Sequence, residues 1–351
     1  PSYSGFGTLL AAQRPASRIK PLEGVPDIFD FPRDIQPILD KHCVTCHNPE
    51  TPKGGVQLTG DRTPIWSLSF YTLTARAQFV DGRNKAESNY PPYALGDAAS
   101  PLMAKLQGTH HGVRASAEEI EIVRAWINVG APYPGTYAAL GTGMIGGYQR
   151  NVIEHGDLEF PEVQAMRDTL ERRCGECHNG VENKLPLMAS DESQNPPWVP
   201  IKSPRFQRHL IYNLTRPELS TILLAPLAQA AGGYAGADSP YRCTAVFQSK
   251  EDPDFQRILG GLERTTALLN EIKRFDMPGF QPRKTYLREM VRYGVLPEDH
   301  DPARPVDVYA LDREYFEALW YYPPGTGPAI YETGLPTAQL IKDPPRTQPG
   351  G

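Results

Sequence analysis

Two copies of a five-residue pattern constrain this chain more than anything else in it: Cys43-Val44-Thr45-Cys46-His47 and Cys174-Gly175-Glu176-Cys177-His178. In Cys-x-x-Cys-His, two thiols three positions apart add to the two vinyl groups of one haem, and the next residue puts an imidazole under the iron. With 5 Cys and 8 His among 351 residues, chance supplies roughly 0.002 copies of such a pentapeptide. Ribbon-type zinc sites separate their Cys pairs by about 15–20 residues, whereas Cys43 and Cys174 are 131 positions apart (174 − 43). A thioredoxin-like pair has no use for a His after each second Cys. The expectation is two covalent haem c groups, held by Cys43 and Cys46 with His47 as proximal ligand, and by Cys174 and Cys177 with His178.

One haem per half is the natural division of a chain this long. A formal charge of −5, made more acidic by haem propionates, argues against nucleic acid as a partner. Pro 36 and Gly 31, without a repeat, point to long stiff loops between short helices. No run reaches transmembrane length, since the least charged stretch, 219–237, is broken by Pro226 and Gly232-Gly233. Haem c is attached outside the cytoplasm, so a periplasmic or extracellular location is expected, and a chain opening on Pro1 without Met fits a processed product. Cys243 is left over from the motifs, and its ordinary reading is a small buried thiol, with haem ligation or an intermolecular bond as alternatives.

The fold class expected is mainly α, with two cytochrome c-like helical domains and long Pro/Gly-rich loops. An extended arm over 1–27 precedes a first domain at 28–136. Here Ile35, Ile38, Leu39 and His42 share a helical face running into the first motif, with Pro37 tolerable in the first turn. Residues 48–99 read as loop, with Trp66, Phe70 and Tyr71 as packing residues. Ser116 as N-cap with Glu119 as its capping-box partner opens a helix with Ile120, Val123, Trp126 and Ile127 on one face, stopped by Gly130 and Pro132. A Gly-rich linker at 137–150 leads to a second domain at 151–322. Its expected helices are one from Pro161 into the second motif, one over 205–214 carrying His209, others from Pro217 and from Asp252 or Pro253, and short ones at 283–293 and 311–320. The tail at 323–351 is disordered by composition unless something holds it. Ordering such arms costs about 1–2 kcal/mol per residue in backbone entropy, so their expected seat is their own domain or a neighbouring copy in a homo-oligomer or filament.

The sixth ligand of each iron separates a closed electron carrier from an open catalytic haem. For haem 1, His110 and His111 precede the closing helix, with His110 as the expected ligand and His111 as its substitute. His42 is too constrained by the adjoining motif to serve the same iron. For haem 2 the expectation is His209 on its helix, with His155 as the substitute and Met277 or Met188 as thioether alternatives that would raise the potential.

Several longer phrases carry a resemblance: Asp34-Ile35-Gln36-Pro37-Ile38-Leu39-Asp40-Lys41-His42-Cys43, His110-His111-Gly112-Val113, Tyr212-Asn213-Leu214-Thr215-Arg216-Pro217-Glu218, Leu224-Ala225-Pro226-Leu227 and Lys273-Arg274-Phe275-Asp276-Met277-Pro278-Gly279-Phe280. Over roughly 28–320 the chain resembles the C-terminal cytochrome region of hydrazine synthase alpha subunit-like proteins. The resemblance implies a bis-His electron-transfer haem and favours His110. A chain of this length has no room for that family's β-propeller and catalytic haem domain, so the redox role carries over without the reaction. Electron transfer to redox partner proteins is therefore expected ahead of catalysis. A peroxidase-like or nitrogen-cycle enzyme with one open haem, and a polymer subunit using haems as wiring, are the alternatives.

Overall fold

The computed structural model describes residues 22–80, 89–139, 156–179, 185 and 207–320, with side chains to 315. Over these residues the chain is mainly helical, and its β pairing is confined to isolated bridges. Three apolar clusters organise it. Residues 1–21 of the arm, the 137–150 linker beyond Ala139, and the tail lie outside the described residues.

The first cluster begins at a π turn, Phe31–Ile35, that continues into α1 (Gln36–His42). Pro37 sits in the first turn, where its missing N–H has no intrahelical partner to lose. Ile35, Ile38 and Leu39 are buried as the spacing predicts, with His42 half-buried, and the helix stops at Cys43, so the motif begins where α1 ends. The stretch expected to be loop contains a helix, α2 (Leu68–Ala75), capped by Ser67, whose Oγ accepts from the Phe70 N–H at 3.3 Å. Leu68, Ser69, Phe70, Tyr71, Thr72 and Leu73 are all buried. A helix covered on every side has no polar face and hence no readable period.

After α3 (Pro101–Leu106), α4 (Ala117–Asn128) has the capping box read from sequence. Ser116 N–H donates to Glu119 Oε2 at 2.7 Å, and Glu119 N–H donates to Ser116 Oγ at 3.1 Å. On its inner face Trp126 is wholly buried against Phe31 and Phe79, and its indole N–H donates to Pro132 O at 2.9 Å.

The second cluster is built on α5 (Pro161–Cys174), α6 (Arg208–Ile211), α7 (Thr221–Leu224) and α8 (Pro253–Ile272). Helix α5 crosses α8 at Gly261, where an added Cβ would stand 2.7 Å from Met166 Cβ. The helix expected over 205–214 is a single turn. Tyr212 is extended, and the Asn213 side chain captures the Thr215 and Arg216 N–H groups at 3.1 and 2.8 Å. Such a local side-chain acceptor competes with helical bonding. The helix expected from Pro217 is likewise reduced to a 3-10 turn, Pro217–Leu219, before α7.

The third cluster joins α9 (Lys284–Arg292) and α10 (Val308–Trp320) to Ala138. Asp312 fixes this docking, accepting from Tyr286 OH at 2.8 Å and from the Tyr137 N–H at 3.0 Å.

Residues distant in sequence tie the clusters together. Asn213 Nδ2 and Arg216 Nη2 each donate to Asp61 Oδ2 at 2.7 Å, and Leu214 N–H donates to Arg62 O at 2.7 Å. The 273–280 turn also reaches back. Arg274 donates to Thr63 O at 2.9 Å and Trp66 O at 3.1 Å, while Phe275 packs in the first cluster against Tyr133.

Candidate haem-binding sites

The two motifs fold into the same tight turn. In the first, Cys46 N–H and His47 N–H donate to Cys43 O at 3.1 and 3.0 Å. In the second, Cys177 N–H and His178 N–H donate to Cys174 O at 3.1 and 2.9 Å. Each motif opens at a helix C-terminus. Burial pushes the Cys43 and Cys174 thiols up to about 11, while Cys46 and Cys177 are exposed.

The first site is the more completely framed. The His47 ring holds Nδ1 3.1 Å from Lys53 O. A carbonyl only accepts, so Nδ1 carries the proton and the lone pair is left on Nε2, the atom a metal would take. The Gly54-Gly55 turn, with φ of 65° and 67°, allows the chain to bend round to that carbonyl.

Opposite stands the loop between α3 and α4, closed by a bridge between Gln107 and Arg114. Positive φ at Gly108, His111 and Gly112 turns the loop so that His110 faces His47. Their ring centroids are 5.9 Å apart and the planes differ by 18°. Two imidazoles on opposite sides of one shared metal, each about 2 Å from it, have centroids about 6 Å apart, so the ring spacing is compatible with a single metal between them. Burial lowers the proton affinity of both rings, with His110 adding to the effect at His47 and His111 at His110. Neutral imidazole is the ligating form. His111 packs edge-on against His110 at 4.5 Å. His42 is committed elsewhere, its Nε2 3.0 Å from Glu119 Oε2.

At the second motif, His178 is half-buried beyond the end of α5. His209 is buried, its Nδ1 lies 3.2 Å from Thr63 Oγ1, and its ring packs against Trp66 and Tyr71 at 4.9 and 5.1 Å. The structure therefore brings His209 together with aromatic residues of the first cluster. Met277 packs against the second cluster, while His155 and Met188 lie outside the described residues. Cys243 is half-buried near the second motif, where burial raises its thiol and Cys177 adds to the effect. Sequence reasoning missed Lys53, because a backbone carbonyl leaves no side-chain signal; the Gly pair beside it was the available clue. Among the described residues no helix is long and apolar enough to cross a membrane.

No family model matches the chain, and neither a curated protein nor a solved structure matches it at a significant level.

Proposed function

We propose that this protein is a di-haem c-type cytochrome of the periplasm or extracellular space that transfers electrons to redox partner proteins. The observation that carries the reading is the parallel pair His47 and His110 at 5.9 Å, with His47 Nδ1 anchored on Lys53 O. Bound haem supplies an iron that cycles between ferrous and ferric states. The chain's own residues would hold and close it: Cys43 and Cys46 would bind it covalently, Lys53 O sets the tautomer of His47, and His47 and His110 would be the imidazoles offered to the iron. With both rings engaged, the iron would be closed to substrate. The similarity to the cytochrome region of hydrazine synthase alpha subunit-like proteins supports the same redox role, and assembly into a homo-oligomer or filament belongs to this reading.

A redox enzyme with one open haem is the second reading. It is favoured by the seat of His209, which is buried with its ring packed on Trp66 and Tyr71 of the first cluster. One experiment separates the two: low-temperature EPR of the oxidised holoprotein with CO titration of the reduced form. Two low-spin bis-His signals and no CO uptake are the expected result. Stoichiometric CO binding at both irons would overturn the electron-carrier reading, and CO binding at one iron would favour the enzyme.

A further inference from the structure

His47 and His110 stand on two separate stretches of chain, and the gap between their rings depends on how those stretches are held. His47 follows α1 through the turn in which its N–H donates to Cys43 O at 3.0 Å. His110 precedes α4, in the loop closed by the Gln107–Arg114 bridge and by Ala115 N–H donating to Leu106 O at 2.9 Å. The last two residues of α1 and the first turn of α4 meet on one carboxylate. Glu119 Oε1 accepts from Lys41 Nζ at 2.7 Å, and Oε2 accepts from His42 Nε2 at 3.0 Å and from the Ser116 N–H at 2.7 Å. Because a carboxylate only accepts, His42 Nε2 carries the proton. Lys41 is exposed, and its ion pair by itself counts for little. His42 and Glu119 keep 13% and 16% of their side-chain exposure, so their bond is largely shielded from water. Lys41 above all, with Ser116 and His42, brings the Glu119 carboxyl down to about 2, so it is a carboxylate at neutral pH. The second motif has the same construction. Arg172 and Arg173 stand directly before Cys174, as Lys41 and His42 stand before Cys43. Arg172 donates two bonds and Arg173 one to Asp254, all at 2.8 Å, and Asp254 lies in the first turn of α8. Different residues at the same two positions thus grip a carboxylate at a helix start in both halves, which ties the contact to the motif rather than to either helix.

We propose that Glu119 is a positioning residue of the first site: by clamping the end of α1 to the start of α4, it sets the separation of the His47 and His110 rings. The inference rests on the reading of those two imidazoles as ligands of one iron. Cys43 directly follows His42, and Arg114 stands two residues before Ser116, so each arm of the clamp lies one short hydrogen-bonded link from a ring. The far end of α4 is held independently, with Trp126 packed on Phe31 and Phe79. Removing the carboxylate therefore leaves the helix docked there and loosens the end that carries the His110 loop. Rings 5.9 Å apart are at the spacing a shared metal needs, and a loop free to swing gives up that spacing. The capping box uses Glu119 differently, since it needs only Ser116 and involves neither Lys41 nor His42.

The test is CO uptake by the reduced holoprotein, read beside its thermal melt. CO competes with the His110 ring, and His110→Ala supplies the reference spectrum of the first iron with CO bound. Lys41→Ala/His42→Ala breaks the clamp and leaves the capping box whole. Glu119→Ala breaks both. Ser116→Ala removes the cap oxygen and leaves the clamp, because the Ser116 N–H remains. The first two variants are expected to take up CO at the first iron about tenfold or more above the wild-type limit, the factor that one charge-assisted hydrogen bond carries. Ser116→Ala is expected to match the wild type in CO uptake although its melting temperature falls. CO uptake that simply follows melting temperature across the three variants overturns the proposal, since Glu119 would then do no more than support its helix. So does wild-type behaviour in Lys41→Ala/His42→Ala, the variant that decides should Glu119→Ala fail to fold. If His110→Ala takes up CO no faster than the wild type, the reading of that pair as ligands fails first, and the proposal falls with it.

Discussion

Arg274 and Asp276 form a buried ion pair, Nε to Oδ1 at 2.7 Å, with the arginine side chain wholly inaccessible and the aspartate 4% exposed. Burial opposes both charges, and each holds the other ionised against it, Arg274 kept above its usual range and Asp276 below. The remaining donors and acceptors are satisfied by Thr63 O, Trp66 O and Tyr133 OH. Arg274→Met leaves the buried Asp276 carboxylate with only Arg62 at 3.6 Å and the Tyr133 hydroxyl at 2.8 Å, and is expected to cost about 3–5 kcal/mol in denaturant unfolding. The double variant Arg274→Met/Asp276→Leu should recover a substantial part of that loss. Equal losses in the single and double variants would show that the pair is not what holds the turn.

Adjacent glycines in α8 should respond oppositely to the same substitution. A Cβ on Gly261 would meet Met166 Cβ at 2.7 Å and Glu162 O at 3.2 Å, whereas one on Gly260 meets nothing within 4 Å. Gly261→Ala is expected to destabilise by about 1–3 kcal/mol through overpacking. Gly260→Ala removes a helix-interior glycine and should add up to about 1 kcal/mol. Thermal melts of the two variants, read side by side, check the α5–α8 crossing, and matching shifts of either sign would contradict it.

Asp30 gives a pH dependence of definite sign. It is 1% exposed, accepts from Tyr309 OH, and burial raises its pKa from 3.8 to about 7. Below the unfolded value both states are protonated and nothing is lost. Between the two values the folded chain holds a proton the unfolded chain has released. Stability therefore falls as pH rises through this window, by at most about 1.4 kcal/mol per pH unit, and levels off above 7. Asp30→Asn keeps an oxygen for Tyr309 and should lack that slope. Urea midpoints between pH 4 and 8 report it, and parallel curves for the two proteins would rule it out.

The two neighbouring histidines of the α3–α4 loop stand differently to His47: the His110 ring lies parallel to it at 5.9 Å, and His111 packs on His110. His110→Ala removes the ring facing His47 and should convert one low-spin signal to high spin. His111 only flanks that ring, edge-on at 4.5 Å, so His111→Ala should leave the spectrum intact. EPR of the two variants decides between them, and the reverse pattern would assign the ligand to His111.

Local chemistry made much of this molecule legible in its sequence. The turns of the two Cys-x-x-Cys-His motifs, the capping box at Ser116 and Glu119, the apolar face of α4 and the Pro161 start of α5 all depend on residues within a turn or two of each other. The His110 loop was legible for the same reason, since its glycines sit beside the histidine they aim. Helix α2 was not, because burial on every side erased its period.

What the sequence by itself determined is the pair of motifs and the helices that deliver them, since covalent spacing and helical period are short-range properties. Only the tertiary structure decided which distant groups meet: the Lys53 carbonyl on His47, Thr63 and two aromatic rings on His209, Arg274 beneath the 63–66 turn, and Tyr234 on Pro49. Those contacts join groups far apart along the chain or run through backbone carbonyls. Closing such loops is an entropic cost met by the whole core together, so no local pattern of residues announces them.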